Sequence, residues 1–146
     1  MRKGITLYTH GLLWLIGGCA YVLLELLWRG RSHWSMLVVG GTCFECIGQI
    51  SRRFRRLRLS ARASLCALTV TAIEFVSGCI LNVWLGMGVW DYSGMRFHLK
   101  GQVCLLYTVL WGLLSVAVCP LYAVCYRFIY RFVCRGRYAA EDTLRS

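Results

Sequence analysis

The chain has 146 residues, enough for one domain. Residues of the AVILMFWYC set make up 58%, charged residues only 16%, and Lys/Arg outnumber Asp/Glu by 17 to 6, a formal net charge of +11. That apolarity excludes an ordinary soluble domain. It also excludes a nucleic-acid binder of the same charge, which would not place runs of about 20 apolar residues between its basic blocks.

Met1-Arg2-Lys3 is a basic start, followed by an apolar run of 24 residues from Ile5 to Trp28, long enough to span a bilayer. Its beginning mimics a signal peptide, and Ile16-Gly17-Gly18-Cys19 a poor lipobox. Hydrophobicity continues for nine residues past Cys19, which fits a retained helix. Gly11, Trp14, Gly18, Tyr21 and Glu25 recur every three or four residues, so this stripe is expected to face neighbouring helices. A short connection, Arg29 to His33, is bracketed by Trp28 and Trp34 as interfacial anchors. The second segment, 34–50, is only 17 residues and contains Gly40, Gly41, Glu45 and Gly48, making it the shortest candidate span.

Six arginines fall within 51–62: Arg52, Arg53, Arg55, Arg56, Arg58 and Arg62. They cannot sit in hydrocarbon. A cytoplasmic loop obeying the positive-inside rule follows, with Phe54, Leu57 and Leu59 dipping into headgroups. Arg52, Arg53, Arg55, Arg56 and Arg58 are the expected contacts for anionic lipid or a cytosolic partner. Segment three, about 63–84, holds Glu74 near its middle, with Ser77, Gly78 and Asn82 on the same helical face. A polar turn, Asp91-Tyr92-Ser93-Gly94, then leads to segment four, about 102–126, with Thr108, Gly112, Ser115 and Cys119 along one side and a kink expected at Pro120. Arg127, Arg131 and Arg135 follow at every fourth residue, as on a helix leaving the membrane, and the tail from Gly136 to Ser146 is expected to fray.

These segments predict an all-α membrane protein, a four-transmembrane-helix bundle forming a single integral membrane domain over 1–146. Thirteen Lys/Arg then lie on the side of the two termini and the 51–62 loop, against four (Arg29, Arg31, Arg96, Lys100) on the other. The split places both termini in the cytoplasm and gathers Trp28, Trp34, Trp84 and Trp90 at the outer interface.

Glu25, Glu45 and Glu74 fall within apolar runs, where a charged side chain costs about 2.5–3.5 kcal/mol at a helix centre. Each must be paired, neutral or facing a wet cavity. Glu25 can pair with Arg29 one turn later, while Glu74 has no basic residue on its own face. The candidate proton or substrate pathway is therefore Glu25, Glu74, Asn82 and Gln102, with Asp91 and Tyr92 at the outer mouth. Asp91 can instead cap backbone N–H groups, pair with Arg96, or join His33 and His98 in an entrance site. The nine cysteines, odd in number and lacking framework spacing, read as bilayer packing; Cys43-Phe44-Glu45-Cys46 has no second pair, so no metal and no cofactor is expected. GxxxxGK[ST], HExxH and GxSxG are all absent, so no enzymatic activity is expected and any energy coupling would need a separate ATPase.

Glu74, Gly78, Asn82, Trp90-Asp91-Tyr92-Ser93, Gly101-Gln102, Cys104-Leu105 and Trp111 together form a pattern. It resembles the ABC-transporter type IV permease family, also called CmpB-like, in its short bacterial members. The first half is similar through Glu25-Leu26-Leu27-Trp28-Arg29-Gly30 and Ser32-His33-Trp34-Ser35-Met36, but it lacks the Gly/Pro-rich loop of longer members, and Glu45 has no counterpart. The resemblance implies a bacterial integral membrane protein acting as a transporter permease subunit. Four short spans would have to oligomerise, or join an ATP-binding subunit, to form a channel. Three other functions share these features: a small proton-coupled exporter, a lipid-binding or scaffolding membrane protein, and a holin-like lysis protein with a basic tail.

Overall fold

The computed structural model describes residues 2–143. Four α-helices carry the fold: α1 (Arg2–Arg29), α2 (Trp34–Arg53), α3 (Leu59–Gly78) and α4 (Leu105–Thr143). Three of them are long and apolar enough to cross a membrane, over Gly4–Arg29, Leu59–Trp84 (α3 with its extension) and Leu105–Gly136. Their outward faces carry large aliphatic and aromatic side chains in water-accessible positions, among them Leu27, Leu113, Val124 and Phe128. Such a surface is stable only against lipid or protein. The chain is an integral membrane protein.

α2 is not among those three helices. Nine of its twenty residues are buried, including Gly40, Gly41 and Gly48, so neighbouring helices rather than lipid surround it. A helix sheathed by protein does not need an apolar surface all round, which accounts for Glu45 and Gln49 within it.

Small residues set how closely α1 and α2 pack. A Cβ on Gly17 would overlap Phe44, on Gly18 the Leu37 carbonyl, on Gly40 Tyr21, and on Gly41 the Trp14 carbonyl. Trp14 Nε1 also donates to Thr42 Oγ1 at 3.2 Å. The predicted stripe thus faces α2 at Trp14, Gly18 and Tyr21. Gly11 departs from it: this residue is exposed, with no neighbour near its Cβ position, and Gly17 does the close packing instead.

The paired residues give the helix directions. Trp14 meets Thr42 while His10 meets Glu45, so α1 and α2 are antiparallel. Thr71 meets Thr108 and Ala67 meets Gly112, so α3 and α4 are antiparallel. The predicted side of α4 packs on α3 here, with Ser115 and Cys119 fully buried. His10, Ser51, Arg62 and Tyr126 consequently lie toward one end of the bundle, and Arg29, Val89 and Tyr92 toward the other.

Three boundaries differ from expectation. α3 begins at Leu59, so only Phe54–Arg58 is left as a loop and Arg52 and Arg62 stand on helix termini. α4 begins at Leu105, because His98–Leu99 (β1) and Val103–Cys104 (β2) pair as a short antiparallel ribbon before it. α4 runs through Pro120 to Thr143 without ending at the expected fray; Tyr126 and Tyr130 stack along it at 5.9 Å. The remainder of the predicted tail, 144–146, and Met1 lie outside the described residues.

Between α3 and the ribbon, Cys79–Trp84 continues the helix in π geometry. The extra residue per turn is closed by Leu85 N–H donating to Ile80 O at 2.9 Å, and Gly86, at φ +65°, turns the chain out of the helix.

Candidate functional site

Glu74 sits on α3 where α1 and α4 converge, and is 3% exposed. Its carboxylate accepts from Trp111 Nε1 at 2.8 Å and from the Tyr21 hydroxyl at 3.3 Å. Those two rings stack on each other, 5.7 Å between centroids. All of its hydrogen-bond donors are neutral, and none is a cation. Tyr21 and Trp111 also wall a cavity of about 400 Å³ between α1 and α4, with Tyr92, Tyr107 and Leu110. The cavity is mostly apolar, and Glu25 and Arg29 are the charged residues that line it.

Glu25 makes the expected ion pair with Arg29, at 2.8 Å. Its other oxygen accepts from Ser32 Oγ at 2.7 Å. Arg29 Nη2 reaches on to the Val89 carbonyl at 3.2 Å, clipping the loop after the π turn to the end of α1.

Asn82 and Gln102 lie behind that loop. Asn82 donates to Trp90 O at 3.0 Å and to Gln102 Oε1 at 2.8 Å, and accepts from Val89 N–H at 2.7 Å. Gln102 Nε2 donates to Lys100 O at 3.0 Å. Trp90 is 4% exposed and donates its indole N–H to Gln102 O at 2.9 Å. The expectation that Trp90 is an interfacial anchor is therefore corrected. It plugs the bundle end, while Trp28, Trp34 and Trp84 are the exposed tryptophans there.

Asp91 takes the capping alternative. Its two oxygens accept from Ser93 N–H and Ser93 Oγ, each at 2.8 Å, and these donors hold its carboxyl below the usual range. His98 Nδ1 accepts from Gly101 N–H, and His33 caps α2 by accepting from Ser35 N–H. Neither histidine joins Asp91 in a shared site by hydrogen bonding. Gly101, at φ +68°, has Asp91 Oδ1 where a Cβ would stand, so the turn requires glycine. Tyr92 stacks on Tyr107 at 4.7 Å, and its burial pushes the hydroxyl up from its ordinary value.

A second carboxylate centre lies nearer the other end. Glu45 on α2 meets His10 Nδ1 of α1 at 2.5 Å, the Tyr122 hydroxyl of α4 at 3.1 Å, and Gln49 Nε2 at 2.8 Å. Tyr122 is fully buried, and Tyr126 packs beside both His10 and Tyr122. Sequence reasoning found Glu45 but not this cluster. Its members are 35 and 77 residues apart, so only the fold joins them.

The arginines divide. Arg53, Arg55, Arg56 and Arg58 are exposed, whereas Arg52 is half-buried with its guanidinium 4.0 Å from the Tyr126 ring centre.

The residues of the Glu74–Trp111 pattern are thus bonded to one another: Glu74 to Trp111, Asn82 and Trp90 to Gln102, Asp91 to Ser93, and Tyr92 N–H to Gly101 O at 2.7 Å. The model of the family described as "Putative ABC-transporter type IV" matches residues 5–138. The chain belongs to this family. No curated protein and no solved structure matches it. In this type IV member, the residues of that pattern are staples that tie the loop after the π turn to the end of the bundle nearer Glu74.

Proposed function

We propose that this family member is a non-catalytic, permease-like subunit of a bacterial transporter. It spans the membrane four times, with both termini in the cytoplasm. Glu74 and Glu45 are its two carboxylate stations, near opposite ends of the bundle, and the Glu25–Arg29 pair guards the mouth of the cavity beside Glu74. Asn82, Gln102, Asp91 and Tyr92 shape that mouth rather than carry a solute through it. Asn82 and Gln102 commit their amide groups mainly to each other and to the backbone.

One observation carries the reading. A buried carboxylate held only by a tyrosine and a tryptophan, the two rings that separate it from a cavity they wall, is an expensive arrangement for mere helix adhesion. Its use is to take up and release a proton or cation as the cavity fills and empties. The lysine/arginine asymmetry supports the cytoplasmic placement of both termini. Four spans are few for a complete channel, so the working unit includes further copies or an ATP-binding subunit.

The test is purification from native membranes in mild detergent, followed by reconstitution. A stoichiometric ATP-binding subunit supports the type IV transporter assembly. A homo-oligomer alone, with substrate-dependent proton flux abolished by Glu74→Gln, identifies a stand-alone exporter instead. Unchanged transport in Glu74→Gln sinks the role assigned to this carboxylate.

A further inference from the structure

A cavity of about 730 Å³ opens between the end of α2, the start of α3 and the Pro120 turn of α4. Arg52, Arg55, Arg62 and Arg127 line it, and no acidic residue does. Arg52 and Arg62 are recessed. Arg52 Nη1 and Arg62 Nε are buried and have no hydrogen-bond partner. A guanidinium is always charged and carries only donors, so an enclosed N–H without an acceptor is a cost the fold does not relieve by itself. Tyr126 beneath the Arg52 guanidinium fixes its plane, which presets the fork for a bidentate anion.

We propose that this cavity binds the phosphate group of an anionic membrane lipid. Planar donors converging from three helices fit a tetrahedral oxyanion, and the volume is far larger than a bare ion needs. Apart from Ser51 and the Tyr126 ring, the rest of the wall is apolar. Leu59, Pro120 and Ala123 line the cavity, and Leu121 and Val124 stand exposed on α4 nearby. A headgroup in the arginines with its acyl chains along α4 satisfies both kinds of surface. The site accounts for Arg52 and Arg62 in a way a diffuse basic loop does not, and it sets them apart from the exposed Arg53 and Arg56. It goes beyond the transport reading and rests only on the membrane placement of the bundle's basic end.

The full chain in phosphatidylcholine nanodiscs is titrated with fluorescent phosphatidylglycerol. The double variant R52Q/R62Q should weaken binding about tenfold or more, while R53Q/R56Q, which removes the same charge outside the cavity, should weaken it less than about threefold. Equal weakening by both pairs overturns the site in favour of diffuse charge attraction. Inorganic phosphate that binds as tightly as the lipid overturns the lipid assignment. Should R52Q/R62Q fail to insert, judged by alkaline extraction, R55Q/R127Q replaces it with the same expectations, since both side chains are exposed. Glu74→Gln, run in parallel, should leave lipid binding unchanged. A failure of the transport role and a failure of the lipid site then read out separately.

Discussion

Glu74→Gln and Glu74→Leu make different demands on the same pocket. Glutamine keeps an oxygen for the Trp111 indole N–H and offers a donor to the Tyr21 hydroxyl, so stability should change by no more than about 1 kcal/mol. Leucine leaves both partners unsatisfied in a buried place, at about 1–3 kcal/mol each. Thermal unfolding in detergent checks the ordering: glutamine near the wild type, leucine well below it, with transport lost in both. Asp91 gives a pH-dependent counterpart outside the membrane. Its carboxyl is held below its ordinary value by Ser93, so the contribution of these bonds is complete above that ordinary value and is lost as pH falls through the lowered one. The protection of the Ser93 amide, its exchange rate taken relative to the intrinsic rate at each pH, should therefore fall only at acid pH. In Asp91→Asn, this acid-dependent loss of protection should vanish. The Glu25–Arg29 pair was visible in the sequence because its members are one helical turn apart. The burial of Trp90 was not, since a tryptophan beside a polar turn reads as an interfacial anchor until its N–H is seen bonded to Gln102.

The two ends of the α1–α2 contact were read with unequal success, and the reason is geometric. A one-face stripe in α1 identifies side chains pointing one way, but it does not say where along the stripe the partner helix passes. The contact is close at Gly17 and Gly18 and has left Gly11 behind. The α2 side shows the opposite case. In the sequence it is the shortest candidate span, at 17 residues, whereas nine buried residues make it the most enclosed of the helices. Gly41→Leu should be among the most damaging single changes in the fold, because the atom it meets is the Trp14 carbonyl, which cannot swing aside. A loss of about 1–3 kcal/mol or more is expected, measured by the denaturant or temperature midpoint in detergent. Gly11→Leu, with open space around it, should be tolerated. Equal damage from both would mean that α1 packs through another face.

At the scale of the whole molecule, the alternation of apolar runs and basic blocks gave the four helices. The centres between them remained hidden. Glu45, His10 and Tyr122 come from three helices, and no local spacing encodes their meeting. The same holds for Arg62 and Arg127, which belong to different segments and share one cavity only in the fold. Tyr122→Phe tests whether the Glu45 centre matters to the assembly. It removes one hydroxyl, should cost about 1 kcal/mol, and should alter transport only if the two carboxylates work together.

α4 has 39 residues, about 58 Å as a continuous helix, against roughly 30 Å of hydrocarbon. Even at Gly136 the axis has advanced about 46 Å from Leu105, so its last turns stand well clear of the acyl chains. The excess length projects beyond the hydrocarbon at the end of the helix, and removing whole turns there would shorten the projection in steps of about 5.4 Å without changing the contacts inside the bundle.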